Sequence, residues 1–228
     1  MKLNYDIYYG NFLKRPNRFI AHIDLAGNEI ISHVPNTGRL RELLYPGAEV
    51  MLSYHPSKTR KTQYELRMVK KGSSWISIDS QLPNALAHEA IANDIIEELK
   101  GYSQIKREVI YGNSRFDLQL LGEEICFVEV KGVTLEEDGW TYFPDAPTQR
   151  GTKHIEELIK ATKDGYKCAL LFVVQINDAK GFSPNSKMDP EFATAVKKAA
   201  LAGVDVLAYR CEITPEEAVI SQRIPVVI

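Results

Sequence analysis

The chain has 228 residues, 44% of them hydrophobic and 25% charged, with a net charge of −2. This is the make-up of a soluble globular protein, long enough for one large domain or two small ones with a real core. The charge excludes a globally basic nucleic-acid binder, so any such surface must be a local patch.

The N-terminus lacks an apolar signal region and no stretch approaches a membrane span, so no membrane partner is expected. Residues 1–72 read as all-β. Phe19, Ala21, Ile23 and Leu25 alternate with Ile20, His22 and Asp24, and 29–34, 49–54 and 64–70 are further strand-like runs. Pro, Gly and Asn cluster between them, and 39–44 has room for one helical turn. About five short strands and one small helix predict a Greek-key barrel of the OB type, with an SH3-like barrel as the alternative.

Lys70-Lys71-Gly72-Ser73-Ser74 is the expected joint, and residues 73–228 form the second unit. After a short strand near 75–78, Asn84 caps a predicted helix that runs to about residue 100, with Ile91, Ile95 and Leu99 on one face. Strands follow near 104–111, 114–121 and 124–131. A second helix runs from Thr148 or Arg150 to Asp164, with Gly165 as its stop. Cys168 to Gln175 reads as a strand buried on both faces. The segment 177–188 reads as a mobile loop. Asp189-Pro190-Glu191 opens a third helix, Gly203 ends it, and 204–210 is the next strand. Cys126, Cys168 and Cys211 lack metal-like spacing and fall in these core strands, which predicts buried free thiols in a cytoplasmic protein. The whole is an α/β protein, α+β overall, with a barrel followed by an αβββαβ unit around a mixed central sheet.

The acids stand on the second and third strands of that unit. In the second, Phe116, Leu118 and Leu120 are expected to face one way, with Arg115, Asp117 and Gln119 facing the other. In the third, Glu129 and Lys131 share a face. Charges among apolar neighbours are costly to bury unless they are paired or bind a metal. Asp117 and Glu129 therefore suit Mg²⁺ or Mn²⁺, with the Val130 carbonyl as a further ligand and Glu89 as an outer acid if its helix packs on that face. Such a cation acidifies a bound water and stabilises charge on a phosphate, and Lys131 would position the water or neutralise the transition state. Asp-x₁₁-Glu-x-Lys is a loose motif, and a Glu–Lys pair on a strand is commonly a solvated face. The order of elements around it carries the weight.

Residues 143–151 form a proline-stiffened loop before the second helix. The amides of that helix start, with Arg150, Lys153 and His154, make an anion site, since basic residues at a positive helix end call for an anion. The bland alternative is a solvated first turn. Arg115 joins these as a nucleic-acid candidate. In the barrel, Arg15, Arg18, Arg39, Arg41, Lys58, Arg60 and Lys61 lie on turns or strand ends with Tyr54, His55 and Tyr64 among them. Basic grooves with aromatic platforms bind single strands, although 58–61 also fits a solvated hairpin tip.

Several segments are shared with one family: Pro35-Asn36-Thr37-Gly38-Arg39-Leu40, Pro83-Asn84, Ser114-Arg115-Phe116-Asp117, Glu129-Val130-Lys131, Phe143-Pro144-Asp145-Ala146, Arg150-Gly151-Thr152-Lys153-His154 and Asp189-Pro190. Through them the chain resembles the bacterial and archaeal sugar fermentation stimulation proteins along essentially its whole length. The resemblance implies an OB-like N-terminal domain, a PD-(D/E)XK nuclease-type C-terminal domain, DNA binding and a role in regulating sugar genes such as those of maltose metabolism. On it, Asp117 is the first acid, Glu129 the second and Lys131 the lysine, while Phe116 replaces the proline of the motif's name.

The leading expectation is thus a DNA-binding protein with a metal-dependent deoxyribonuclease-like site. The alternatives are a non-catalytic transcriptional regulator, or an interaction module whose acids form a structural ion-pair network. A homodimer is compatible, since nucleases of this type cut two strands by pairing two sites. DNA against RNA, and single against double strand, stay open at this point.

Overall fold

The computed structural model describes residues 1–57 and 59–228, so Lys58 lies outside the described residues. The first six strands are β1 (Asp6–Asn17), β2 (Ile20–Leu25), β3 (Asn28–His33), β4 (Glu49–Tyr54), β5 (Tyr64–Lys71) and β6 (Ser74–Ser77). They follow the order β3-β2-β1-β4-β5-β6, and a parallel pair between β3 and β5 closes the ring. A five-strand ring in which β1 meets β2 and β4, and β3 meets β5, is the OB closure and not the SH3 one. The predicted single turn stands between β3 and β4, where Leu43 and Leu44 amides return to the Leu40 carbonyl. β6, placed by the sequence beyond the joint, pairs with β5 and extends this first sheet.

Helix α1 (Leu82–Ala92) follows, then a 3-10 turn at Glu97–Leu99. The helix is shorter than its sequence pattern suggests. Asp94 takes a left-handed φ of 53°, the Asn93 amide closes on Glu89, and Ile95 is left exposed. The expected cap is also corrected: Gln81 is the N-cap, and Asn84 stands inside the first turn. The next strands are β7 (Gln104–Tyr111), β8 (Ser114–Leu121), β9 (Ile125–Val133), β10 (Leu135–Glu137) and β11 (Trp140–Phe143). Then come α2 (Gln149–Lys163), β12 (Lys167–Val174), β13 (Gly181–Pro184), α3 (Pro190–Leu201), β14 (Asp205–Ile213) and β15 (Ala218–Arg223).

The main sheet has the order β15-β14-β12-β9-β8-β7. β12 lies parallel to β9 and β14 at its centre, which explains its unbroken apolar run. The sheet is mixed because β7, β8 and β9 form an antiparallel meander. One face packs on α1 through Leu86, Ala90, Val128 and Leu171. The other packs on α2 and α3 through Ile155, Leu158, Phe192 and Leu170, in a cluster continuous with the barrel core. Cys126, Cys168 and Cys211 are free and buried. No helix among the described residues is long and apolar enough to cross a membrane.

A small sheet, β10-β11-β13, is absent from the sequence reading. It sits where 177–188 was expected to be a loop. Phe182 on β13 is fully buried, with its ring stacked 4.0 Å from that of Phe172. Asp189 joins two helix starts: its Oδ1 accepts the Phe192 amide at 2.9 Å and its Oδ2 accepts the Thr148 amide at 2.8 Å. Asp189→Ala is expected to lower stability by about 2 kcal/mol, the upper end for a lost cap, and to shift the midpoint of chemical unfolding accordingly. An unchanged midpoint would show that water replaces both contacts.

Candidate metal centre and its surroundings

Asp117 and Glu129 meet where two ladders open. The β7–β8 register runs Arg107↔Leu118 and then Val109↔Phe116, stepping over Glu108 and Asp117. Glu108 has a φ of 56°, a sparsely populated region for a side chain of its size. The kink breaks the expected alternation of β8. Leu118 and Leu120 pack on the α1 side with Val128, whereas Phe116 packs on the α2 side, 5.2 Å from the Phe127 ring. The β8–β9 ladder runs from Leu121↔Ile125 to Leu118↔Val128. Beyond it, the Asp117 side chain takes over: Oδ2 accepts the Val130 N–H at 2.8 Å, and Oδ1 accepts from Asn84 Nδ2 at 2.7 Å.

Glu129 is buried, and its Oε1 is met by both Lys131 Nζ and His154 Nδ1. Arg150 Nε donates to His154 Nε2 at 3.5 Å, which assigns the ring proton to Nδ1 and makes the histidine a donor to the acid. Burial works to raise the Glu129 pKa, but the His154 hydrogen bond and the Lys131 charge outweigh it and hold the group below its usual value. Asp117 goes the other way. Burial and then the neighbouring Glu129 charge push it up, against the Val130 amide, Lys131 and Asn84.

Glu129 Oε2 is buried without a hydrogen-bond partner, while Oε1 has two. One acid with a free buried oxygen beside a second acid whose ionisation is opposed is a donor set that fits a hard divalent cation. Among the described residues no three or more His, Cys, Asp or Glu are grouped so as to hold a metal ion together, so the protein offers two carboxylates and the remaining positions fall to backbone or water. Val130 contributes its N–H to Asp117, and so helps to fix that acid. Glu89 is not brought here. It pairs with the Met1 amino group at 3.3 Å and lies beside Val219 and Ile220.

The basic candidates divide by their partners. Arg15 is a clamp, since its guanidinium donates to the carbonyls of Arg18, Asn36, Gly38 and Arg39. Arg60 faces Glu65 at 3.6 Å and Arg115 faces Glu108 at 2.7 Å. His154 is buried against Glu129 and so is not part of an outer anion surface. Arg18, Arg39, Arg41, Lys61, Arg150 and Lys153 are exposed. Thr148 caps α2 by accepting the Gly151 amide at 3.0 Å, with Arg150 and Lys153 in the first turns.

Three contributors were missed by sequence reasoning. Asn84, a helix cap by its sequence position, orients Asp117 instead. His154, an anion contact by its place in the first turns of α2, holds Glu129 instead. Gln175, the polar residue just after β12, is buried with its Oε1 unpartnered.

The family model described as the sugar fermentation stimulation protein RE domain matches residues 81–217, and that of the SfsA N-terminal OB domain matches 13–78. A sugar fermentation stimulation protein homolog of Thermoanaerobacter sp. (strain X514) is 47% identical over 230 residues, with 100% of both chains covered. A homolog from Clostridium botulinum (strain Langeland / NCTC 10281 / Type F) is 50% identical over 228 residues, spanning 99% of this chain and 98% of its own. The solved structure of Pyrococcus furiosus SfsA in complex with Ca²⁺ superposes with a TM-score of 0.91 at 30% identity, covering 100% of this chain and 98% of that one. The chain belongs to the sugar fermentation stimulation protein family.

Proposed function

We propose that this protein binds nucleic acid and hydrolyses its phosphodiester bonds at a divalent-metal site formed by Asp117 and Glu129, with Lys131 as the assisting cation. The observation that carries the reading is the asymmetry of Glu129, which has one oxygen held by two donors and the other buried and free. The Ca²⁺ in the archaeal relative supports a divalent cation, and the acids suit Mg²⁺ or Mn²⁺ as the working ion. Bound there, such an ion would supply Lewis-acid stabilisation of a phosphate and a more acidic water. Asp117 is aimed by Asn84 and the Val130 amide, and the Val130 carbonyl is the backbone group proposed to join it. Lys131 pairs with Glu129, is only partly exposed and lines a neighbouring cleft, so its ammonium can donate to the attacking water or to a phosphate oxygen. The three buried free thiols fit a reducing cytoplasm, the compartment we assign.

Titration calorimetry with Mn²⁺ tests the site directly. Wild type should bind, and Asp117→Asn should not. His154→Ala should weaken binding by about 10- to 100-fold, because its hydrogen bond orients a ligand without touching the ion. Absence of heat with Mn²⁺, Mg²⁺ and Ca²⁺ in the wild type would remove the catalytic reading and leave a DNA-binding regulator of sugar genes in its place.

A further inference from the structure

Two concave spaces lie where the barrel meets the second domain. One, of about 440 Å³, opens beside Lys131 and is bordered by Asn36, Thr148 and Gln175. The other, of about 490 Å³, is bordered by Arg39, Arg41 and Lys187. Leu135, Tyr142 and Asp145 line both. Leu135 and Tyr142 are direct cross-strand partners, so their side chains share one face of the small sheet. The two spaces share these three lining residues, and together they are the groove, from Lys131 to the three basic residues, on which the proposal below is built.

We propose that this groove guides a single-stranded polynucleotide, DNA or RNA, from Lys131, the residue of the proposed centre that lines it, across the domain junction to Arg39, Arg41 and Lys187. The proposal rests on the nucleic-acid reading above and adds the strandedness and the path. Each space has the size that encloses one small ligand, roughly 300–1,000 Å³, which suits a nucleotide and not a duplex. The junction is also fastened from within: Asp145 Oδ2 accepts the Arg39 amide at 2.9 Å, and Lys71 pairs with Glu136. Arg39, Arg41 and Lys187 are exposed, and among the described residues none has a carboxylate within ion-pair reach, so their charges are available to phosphates. Three acids also line the groove. Asp145 is engaged by backbone amides, while Glu42 and Glu137 stand at the basic end and moderate its field. The half-buried Tyr142 stands at the join of the two spaces, where a base would stack. The buried Gln175, with an unpartnered Oε1, borders the Lys131 end. On a single strand one centre is enough, so a pair of subunits is not required for cutting.

Fluorescence anisotropy with labelled oligodeoxythymidylate, oligouridylate and a duplex of equal length tests this, in EDTA and in Ca²⁺. At least one single strand should bind about tenfold tighter than the duplex, and the comparison of the two decides DNA or RNA. Arg41→Ala with Lys187→Ala should weaken that binding by about tenfold and lower the log–log salt slope by about 1.4, two contacts at roughly 0.7 each. Tyr142→Ala should weaken it by roughly tenfold, with Tyr142→Phe restoring it. Equal or tighter duplex binding, or unchanged affinity in variants whose melting matches wild type, overturns the groove. Because binding is read without turnover, the two proposals fail separately. A protein that binds single strands through these residues but cleaves nothing keeps the groove and loses the phosphodiesterase. One that cleaves duplex with the groove variants unaffected does the reverse.

Discussion

Lys131→Ala is expected to lower metal-dependent cleavage by about 10²- to 10³-fold, the usual cost of removing one preorganised donor from a developing anion. The loss should fall on kcat more than on KM, because the ammonium matters most when charge builds on the phosphate. Lys131 is well placed for this. It shares the strand face of Glu129, donates to that acid and borders the cleft. The fold should survive, since His154 still holds Glu129 Oε1 when the lysine is gone. Lys131→Arg keeps the charge but replaces a compact ammonium by a planar fork, so it should recover only part of the rate. Single-turnover cleavage of a labelled oligonucleotide with Mn²⁺, together with a melting curve for each variant, separates these effects. A Lys131→Ala protein that cuts within twofold of wild type would assign the lysine to structure and return the catalytic role to the acids alone.

The parts of this site that lie within one element were legible in the sequence. The Glu129–Lys131 spacing on a strand, the apolar run of β12, and the capped starts of α2 and α3 follow from local rules, and the structure has them where expected. The chain order of helix, meander, helix and strand also identified the sheet. What the sequence hid depends on tertiary placement. The alternation of β8 breaks because Glu108, on a different strand, takes a left-handed conformation opposite Asp117. The small sheet pairs Trp140–Phe143 with Gly181–Pro184 in parallel across some forty residues, through strands too short to show a period. Arg15 looked like a nucleic-acid contact because sequence gives charge but not the four carbonyls that surround it. Glu89 lies on the same helix as Asn84, but five residues on, and the turn of the helix carries it away from Asp117 to the chain terminus.

The second large effect concerns stability. Arg67→Ala is expected to lower the unfolding free energy by about 3–5 kcal/mol, the cost of stranding a buried charge network without its partner. Arg67 stands on β5 with its side chain 13% exposed, between Glu65 at 11% and Asp79 at 10%. Its two terminal nitrogens reach those acids, its Nε donates to Ser53 Oγ at 2.9 Å, and its Cζ lies 4.8 Å from the Tyr5 ring centre. Asp79 Oδ1 in turn accepts the Gln81 amide at 2.9 Å at the entry to α1, so the guanidinium ties the barrel to the first helix of the second domain. Burial alone would raise the Glu65 pKa, yet the His33 hydrogen bond and the Arg67 charge outweigh it and hold the group low. A lowered carboxylate stabilises the fold above its unfolded pKa of about 4.3, and that contribution is lost as pH falls through the folded value. In Arg67→Ala the burial effect is left less opposed, so Glu65 rises and the variant loses less on acidification. The difference between the two proteins should therefore be largest near neutral pH and narrow below about pH 4. Urea unfolding followed by fluorescence, with Trp75 on β6 reporting the barrel, reads both the size and the trend. Replacing all three charges together, as Arg67→Met, Glu65→Gln and Asp79→Asn, should recover much of the loss, because no unpaired ion is then buried. A single-variant cost below about 1 kcal/mol, or a difference that widens in acid, would show that solvent reaches these groups and that the joint is held by packing instead.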